Sequence, residues 1–251
     1  ISNNLVQVIY EDRQGTIWTG TGIPGDGSKP EEGGLNRMNK KTGTFTRYLN
    51  IPGNIHSLSN NYVRAIFEDN QGVLWIGTGG NGLHKMDRRQ GTFERIVYDP
   101  AHPEKISGPA FKKESSTNEV INFITQDAAG SYWIGTLEGG LNYYNPVIGK
   151  TIHYPGTENS SAGYNDIGAW WTFTSRDGIL WISSDWTRGN LYRIDPFRRE
   201  IPHYKIPGGV TCFYEEPNGI FWTAGEQLIR NDIDKGITKR YKIINPTSEQ
   251  I

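Results

Sequence analysis

Apolar and polar positions in this chain fall into short runs separated by glycine-bearing turns. Val63-Arg64-Ala65-Ile66-Phe67-Glu68 is one run, and Leu74-Trp75-Ile76-Gly77 follows after the polar stretch Asp69-Asn70-Gln71-Gly72. Leu83–Asp87 and Phe93–Tyr98 complete a set of four. Runs of this length bounded by Gly, Asp and Asn predict β-strands. The first two runs are almost continuously apolar, the pattern of strands covered on both faces. No amphipathic stretch of useful helical length interrupts them.

The set of four recurs. Tyr10-Glu11-Asp12-Arg13-Gln14-Gly15-Thr16-Ile17-Trp18 reappears as Phe67-Glu68-Asp69-Asn70-Gln71-Gly72-Val73-Leu74-Trp75 and as Thr125-Gln126-Asp127-Ala128-Ala129-Gly130-Ser131-Tyr132-Trp133. Weaker copies end at Trp181 and Trp222, and the Trp-to-Trp spacings are 57, 58, 48 and 41 residues. Each Trp has a Gly three residues earlier: Gly15, Gly72, Gly130, Gly178 and Gly219. A tight turn between strands A and B explains the spacing, with Asp bonding local backbone and Gly supplying positive φ. Four strands per unit, with Gly and Trp at fixed offsets, predict an all-β fold: a β-propeller of four-stranded antiparallel blades. Five blades are expected, at about 4–50, 61–99, 118–155, 165–206 and 209–244. The five repeated Trp residues, Trp222 included, are expected in the core between blades.

Composition narrows the function. The 251 residues carry 26 Lys+Arg against 27 Asp+Glu, a net charge of −1. A nucleic acid or an anionic membrane held by bulk charge is therefore not expected as a partner. No apolar run approaches 18 residues, so no membrane segment is expected. Ile1–Val8 lack a basic n-region, so no signal peptide is expected here. One cysteine, Cys212, rules out an internal disulfide and a thiolate zinc cluster. Its apolar setting, Val210-Thr211-Cys212-Phe213-Tyr214, predicts core packing.

The string Val63-Arg64-Ala65-Ile66-Phe67-Glu68-Asp69 … Gly72-Val73-Leu74-Trp75-Ile76-Gly77-Thr78 … Gly82-Leu83 … Gly91-Thr92-Phe93 resembles the two-component regulator propeller repeat. His56-Ser57-Leu58-Ser59-Asn60-Asn61 resembles that family's linker between blades, and Trp133-Ile134-Gly135-Thr136 … Gly139-Gly140-Leu141 repeats the match. The fourth and fifth copies depart, with Ser183-Ser184 and Thr223-Ala224 where Gly-Thr is expected after the Trp. The resemblance implies the extracytoplasmic, periplasmic sensor of a bacterial receptor, often a hybrid histidine kinase and often responsive to polysaccharide fragments. It implies further blades and signalling domains as partners, and a homodimer as a possible assembly. The chain begins and ends at the same repeat phase and reads as a cut-out of a longer receptor. The alternative is a closed five-bladed ring.

Repetition also separates architecture from function. Asn4, Asn61, Asn118 and Asn165 stand at the entry to strand A in four copies and read as turn formers. Long insertions fall only in the B–C loops and D–A linkers: Gly22–Gly34, Pro100–Asn118, Pro155–Asn165 and Ser184–Asn190. Propeller topology puts both classes on one face, and loops on a rigid scaffold are where binding resides. Trp170 and Trp171 face opposite ways along a strand, so at least one is expected in the core. The expected ligand-binding residues are Trp186, Arg188, Asp185, Trp171, Tyr164, Asp166, Glu138 and Asn81. Aromatic faces with Asn, Asp and Arg at the rim suit an oligosaccharide, whose ring faces are apolar and whose edges hydrogen-bond.

Catalytic signals are weak. Gly77-Thr78-Gly79-Gly80-Asn81-Gly82 fits G-x-G-x-x-G, but a strand follows where a dinucleotide site needs a helix. The turns offer one carboxylate each, too few for calcium. His153 and His203 share a strand-D position with Arg47 and Arg240, which marks it as architecture. No catalytic residue, metal site or cofactor is expected, and the chain reads as a non-enzymatic binding module. A protein-interaction or dimerisation propeller is one alternative. A streptogramin-lyase-like enzyme is another, because Asn218-Gly219-Ile220-Phe221-Trp222 … Leu228-Ile229-Arg230 is similar to those propellers. Such lyases place metal-binding His and Glu near the channel, a constellation not found here.

Overall fold

The computed structural model describes residues 1–22, 32–80, 82–97, 99, 101–102, 120–136, 140–154, 171–183, 190–195, 203–205, 210–225, 227–232 and 235–241. The chain divides into two compact units, Ile1–Ala169 and Trp170–Ile251.

The first unit holds three blades. Blade 1 is β1 (Val6–Glu11), β2 (Ile17–Thr21), β3 (Gly34–Met38) and β4 (Phe45–Tyr48). Blade 2 is β5 (Val63–Glu68), β6 (Leu74–Thr78), β7 (Leu83–Asp87) and β8 (Thr92–Ile96). Blade 3 is β9 (Ile121–Gln126), β10 (Tyr132–Thr136), β11 (Leu141–Asn145) and β12 (Lys150–Tyr154). Each is a sheet of four sequential antiparallel strands. Their first strands adjoin, β1 against β5 and β5 against β9.

The second unit holds two blades of the same topology. They are β13 (Trp171–Thr174), β14 (Leu180–Ser183), β15 (Asn190–Ile194) and β16 (His203–Lys205), then β17 (Cys212–Glu215), β18 (Phe221–Ala224), β19 (Leu228–Asp232) and β20 (Ile237–Tyr241). Among the described residues every element is a strand.

The core lies between neighbouring blades. Trp18 and Leu35 of blade 1 pack with Val63, Ile66, Leu74 and Ile76 of blade 2. Trp75 and Leu83 pack in the same way with Ile121, Ile124, Tyr132 and Ile134 of blade 3. In the second unit Trp181 and Leu191 meet Phe221, with Phe173 and Phe213 alongside. Burying side chains of this size gives roughly 1.5–3 kcal/mol each, so these seams hold the blades together.

The glycine two residues after Trp18 and after Trp75 explains how close the first three blades come. A Cβ on Gly20 would lie 2.6 Å from Val63 Cγ1, and one on Gly77 would lie 2.5 Å from Ile121 Cγ2. The bare backbone lets the next blade's first strand settle there.

Two sequence expectations are corrected. Cys212 is exposed, not in the core. It opens β17, where Cys212 and Tyr214 are exposed while Phe213 turns to the Phe173 and Phe221 rings. Period-two alternation places Cys212 on the uncovered side, which an apolar window does not reveal. Trp222 is half-buried, whereas Trp18, Trp75, Trp133 and Trp181 are buried. Of the Trp170–Trp171 pair, Trp171 is 44% exposed and Trp170 lies outside the described residues.

Candidate functional site

The two ends of the blades are built differently. At the A–B turn end, Gly15, Gly72, Gly130, Gly178 and Gly219 have φ of 76°, 83°, 82°, 81° and 81°. That left-handed conformation is why glycine occupies each turn. Asp12 Oδ1 accepts the Gln14 and Thr16 N–H groups at 3.0 and 2.9 Å. Asp12 Oδ2 accepts the Trp18 indole N–H at 2.8 Å. Asp69 does the same for Gln71, Val73 and Trp75, and Asp127 for Ala129, Ser131 and Trp133. The carboxylate therefore fixes the turn and satisfies a buried indole at once. Ser175 replaces it in the fourth blade and bonds Asp177 and the Ile179 carbonyl. Glu216 serves Trp222 in the fifth.

A second recurring bond clamps one blade to the next. Glu68 Oε2 accepts the Arg13 N–H at 2.7 Å, Gln126 Oε1 accepts the Asn70 N–H at 2.9 Å, and Glu215 Oε2 accepts the Arg176 N–H at 2.9 Å. Sequence reasoning missed it, although its signal was present: an acidic or amide residue just before each turn. Arg88 adds a bridge only between blades 1 and 2. Its guanidinium lies 3.0 Å from Asp12 Oδ2 and 2.6 Å from Glu68 Oε1. Burial alone would raise the Asp12 carboxyl, but bonds from Trp18, Thr16, Arg88 and Gln14 hold it below the usual carboxylate value. Burial would lower the Arg88 guanidinium, and the two carboxylates push it up instead.

The opposite end carries the B–C loops and D–A linkers. Thr21, Thr78 and Thr136 each donate to a carbonyl at the far side of their loop, at Gly34, Gly82 and Gly140. The linker from strand D of blade 1 to strand A of blade 2 is pinned from several sides. Arg95 donates to the carbonyls of Asn54, Ser57 and Leu58. Asn61 Oδ1 accepts the Asn50 N–H at 2.6 Å.

His84 lies beneath this linker, fully buried. Its Nε2 accepts the Ser59 N–H at 3.0 Å, and Nδ1 donates to the Ile76 carbonyl at 3.3 Å. Burial drives its pKa down to about 4, against the raising effect of bonds to Ile76 and Gly82, with Arg95 adding to the fall. Asn36 and Asn142 hold the same position and donate to Thr19 and Ile134. His84 is thus a neutral structural brace.

At this same end the first strands share an irregularity. Pairing of β1 with β2 shifts between Val6 and Val8, and pairing of β5 with β6 shifts between Val63 and Ala65. Pairing of β9 with β10 shifts between Gly135 and Thr136, opposite Phe123 and Ile121. The residues at the shifts are Gln7, Arg64 and Asn122. A bulge takes a side chain out of the strand's alternation and re-aims it, a device common at binding sites. Three polar residues therefore stand at one level on three adjacent strands. Burial lowers the Arg64 guanidinium. Periodicity in the sequence cannot reveal a register shift, so this trio went unseen.

Of the sequence-predicted ligand residues, Trp171 is described: it begins β13 opposite Ser183, half-exposed. Asn81, Glu138, Tyr164, Asp166, Asp185, Trp186 and Arg188 lie outside the described residues. Among the described residues no three His, Cys, Asp or Glu side chains gather as a metal site would need. His153 and His203 belong to the outermost strands, β12 and β16. Two cavities of about 460 Å³ open at the A–B turn end of blades 1 and 2.

The fold is shared with solved structures. Residues 1–22 and 57–80 match the two-component regulator propeller family. The extracellular domain of a B. thetaiotaomicron protein assigned to the hybrid two-component systems superposes with a TM-score of 0.71 at 20% identity, over 98% of this chain and 31% of that chain. A second such domain from B. thetaiotaomicron gives 0.65 at 18% identity, over 98% of this chain and 36% of that one. Virginiamycin B lyase from Staphylococcus aureus gives 0.65 at 16% identity, over 96% of this chain and 71% of the lyase. The chain thus spans about a third of the two receptor domains. No curated protein is similar to it in sequence. Repeated strand order and the Asp–Trp turn agree with these matches: the chain has the propeller-blade fold, and its residues 1–22 and 57–80 are two-component regulator propeller repeats.

Proposed function

We propose that the chain is a ligand-binding segment of an extracytoplasmic sensor in a two-component receptor, and that it binds an oligosaccharide or a similar solute without turning it over. The observation that supports this most is the asymmetry between the blade ends. The A–B turns are short and alike, whereas in the sequence the insertions fall between strands B and C or D and A, and in the first unit the pinned linker and the bulged residues stand at that end of the blades. A rigid scaffold with one elaborated face is the arrangement of a recognition surface. Trp186, Asp185 and Arg188 on the fourth blade's loop supply a stacking face and a polar rim in this reading. The residues at the loop face carry no catalytic assignment.

A thermal-shift screen against neutral and acidic oligosaccharides tests this. A solute that binds only the folded chain raises Tm by mass action, about 2.7 kcal/mol at a hundredfold excess over Kd. The shift is expected to vanish in Trp186→Ala with the glycan recovered intact. Consumption of the glycan, or a flat screen on folded protein, would rule the reading out for this segment.

A further inference from the structure

The C–D turns of the first two blades each carry two adjacent cations. They read Asn39-Lys40-Lys41 and Asp87-Arg88-Arg89, whereas the third reads Asn145-Pro146-Val147-Ile148. Val147 and Ile148 are largely exposed.

The first cation of each pair is used internally. Lys40 lies 2.7 Å from Glu11 Oε1, and Arg88 bridges Glu68 and Asp12. The second of each pair, Lys41 and Arg89, is exposed and makes no ion pair among the described residues. Between them lies Arg37, its guanidinium 5.9 Å from the centre of the Trp18 ring.

These residues line the two cavities, which share Thr16 and Arg37 and so form one trough across blades 1 and 2. The acids that line it are already engaged. Asp12 accepts from Trp18, Thr16, Gln14 and Arg88, and Asp87 Oδ1 accepts the Arg89 and Gln90 N–H groups. With Glu11 and Glu68 counted beside the lining residues, the cations still exceed the carboxylates, and Arg37, Lys41 and Arg89 stand outside the ion pairs at Lys40 and Arg88. A concave surface of one sign concentrates ions of the other.

We infer that this trough is an anion-binding site, distinct from the loop face, for a solute with two or more carboxylate or sulfate groups. The forked guanidinium groups of Arg37 and Arg89 suit planar carboxylate or sulfate oxygens, and Lys41 supplies a point charge at the other end. Thr16 contributes a hydroxyl where the two cavities meet.

Isothermal titration of the full chain tests the site with three probes: a galacturonic-acid tetramer, a sulfated dextran oligomer and a neutral dextran oligomer of equal length. The expected result is binding of an anionic probe but not the neutral one, weakening as ionic strength rises to about 0.15 M. The double variant Lys41→Glu, Arg89→Glu should bind about tenfold more weakly or worse, roughly 1.4 kcal/mol or more. Its Tm should match that of the parent, since both side chains are exposed. Trp186→Ala should leave this binding intact, which separates the trough from the loop face. The tighter of the two anionic probes identifies the group recognised. Equal binding of all three probes, no binding of either anion, or affinity unchanged by the charge reversals would overturn the inference.

Discussion

The seam between blades 1 and 2 and the seam between blades 4 and 5 solve the same packing problem with different chemistry. In both, a Trp from one blade's second strand lies under an apolar residue of the next. Trp18 meets Leu74 and Ile76, and Trp181 meets Phe221 with ring centres 5.0 Å apart. Both seams also carry the clamp from a glutamate to a turn N–H, at Arg13 and at Arg176. The first seam then adds Arg88 between two carboxylates that are 1% and 3% exposed. The second adds an exposed bond from Arg176 to the Pro217 carbonyl and a cluster of aromatic rings. The difference teaches that the apolar seam and the clamp suffice for a blade pair, while the ion bridge is a local addition with its own vulnerability.

The largest way to break the comparison is at Arg88. Arg88→Ala leaves Asp12 and Glu68 buried without their cation, and should cost about 3 kcal/mol in urea unfolding of the chain. Arg176→Ala, at an exposed position, should cost less than about 1 kcal/mol. Equal losses would mean that the bridge adds nothing to the seam.

Acid should act on the first unit through His84. Its folded pKa of about 4 lies below the ordinary value of 6.5, so the unfolded chain takes up the proton first. The stability tied to neutral His84 is complete above pH 6.5 and is lost as pH falls toward 4, about 3 kcal/mol in all. Urea midpoints measured from pH 7.5 down to about 4.5 should show most of this loss. His84→Asn, the residue found at positions 36 and 142, should flatten the profile. Asp12, held below its usual value, adds a loss of the same sign at lower pH.

The glycine rule gives a smaller effect. Gly77→Ala puts a Cβ 2.5 Å from Ile121 Cγ2 and 2.7 Å from Ile121 Cβ. Overpacking of this kind costs roughly 1–3 kcal/mol. Ser183 and Ala224, which pair with Trp171 and Cys212 as Gly77 pairs with Ala65, already carry side chains. Ser183→Gly should therefore bring no comparable gain on thermal denaturation.

The smallest effect is expected at the equivalent positions Ala65 and Cys212. Ala65 is buried and Cys212 exposed. Cys212→Ser should change stability by less than about 0.5 kcal/mol. The native thiol should react with a soluble disulfide reagent at the rate of an open cysteine. Slow labelling would place Cys212 back in a core.

The repeat made the architecture legible, because a blade is a local object. Hydrogen-bonded turns with Asp, Gly and Trp at fixed offsets depend on neighbours within about ten residues, and the positive φ of Gly15 and its counterparts follows from that spacing alone. The strand connections in which the long insertions fall were legible for the same reason, since they depend on strand order. The candidate site was readable only as a face.

What depended on distant segments was not written in any one run. The Asp12–Arg88 contact spans 76 residues in sequence, and the Arg13–Glu68 clamp spans 55. The bulges at Gln7, Arg64 and Asn122 exist only as a mismatch between paired strands. Cys212 sits in an apolar stretch yet is exposed, because burial belongs to a face and not to a window. The sequence by itself determined the strands, their turns and their order, all set by local sterics and hydrogen bonding. Tertiary structure alone decided which faces were covered, which carboxylates shared a cation and which cations stayed exposed. Those outcomes follow from the close approach of one blade to the next.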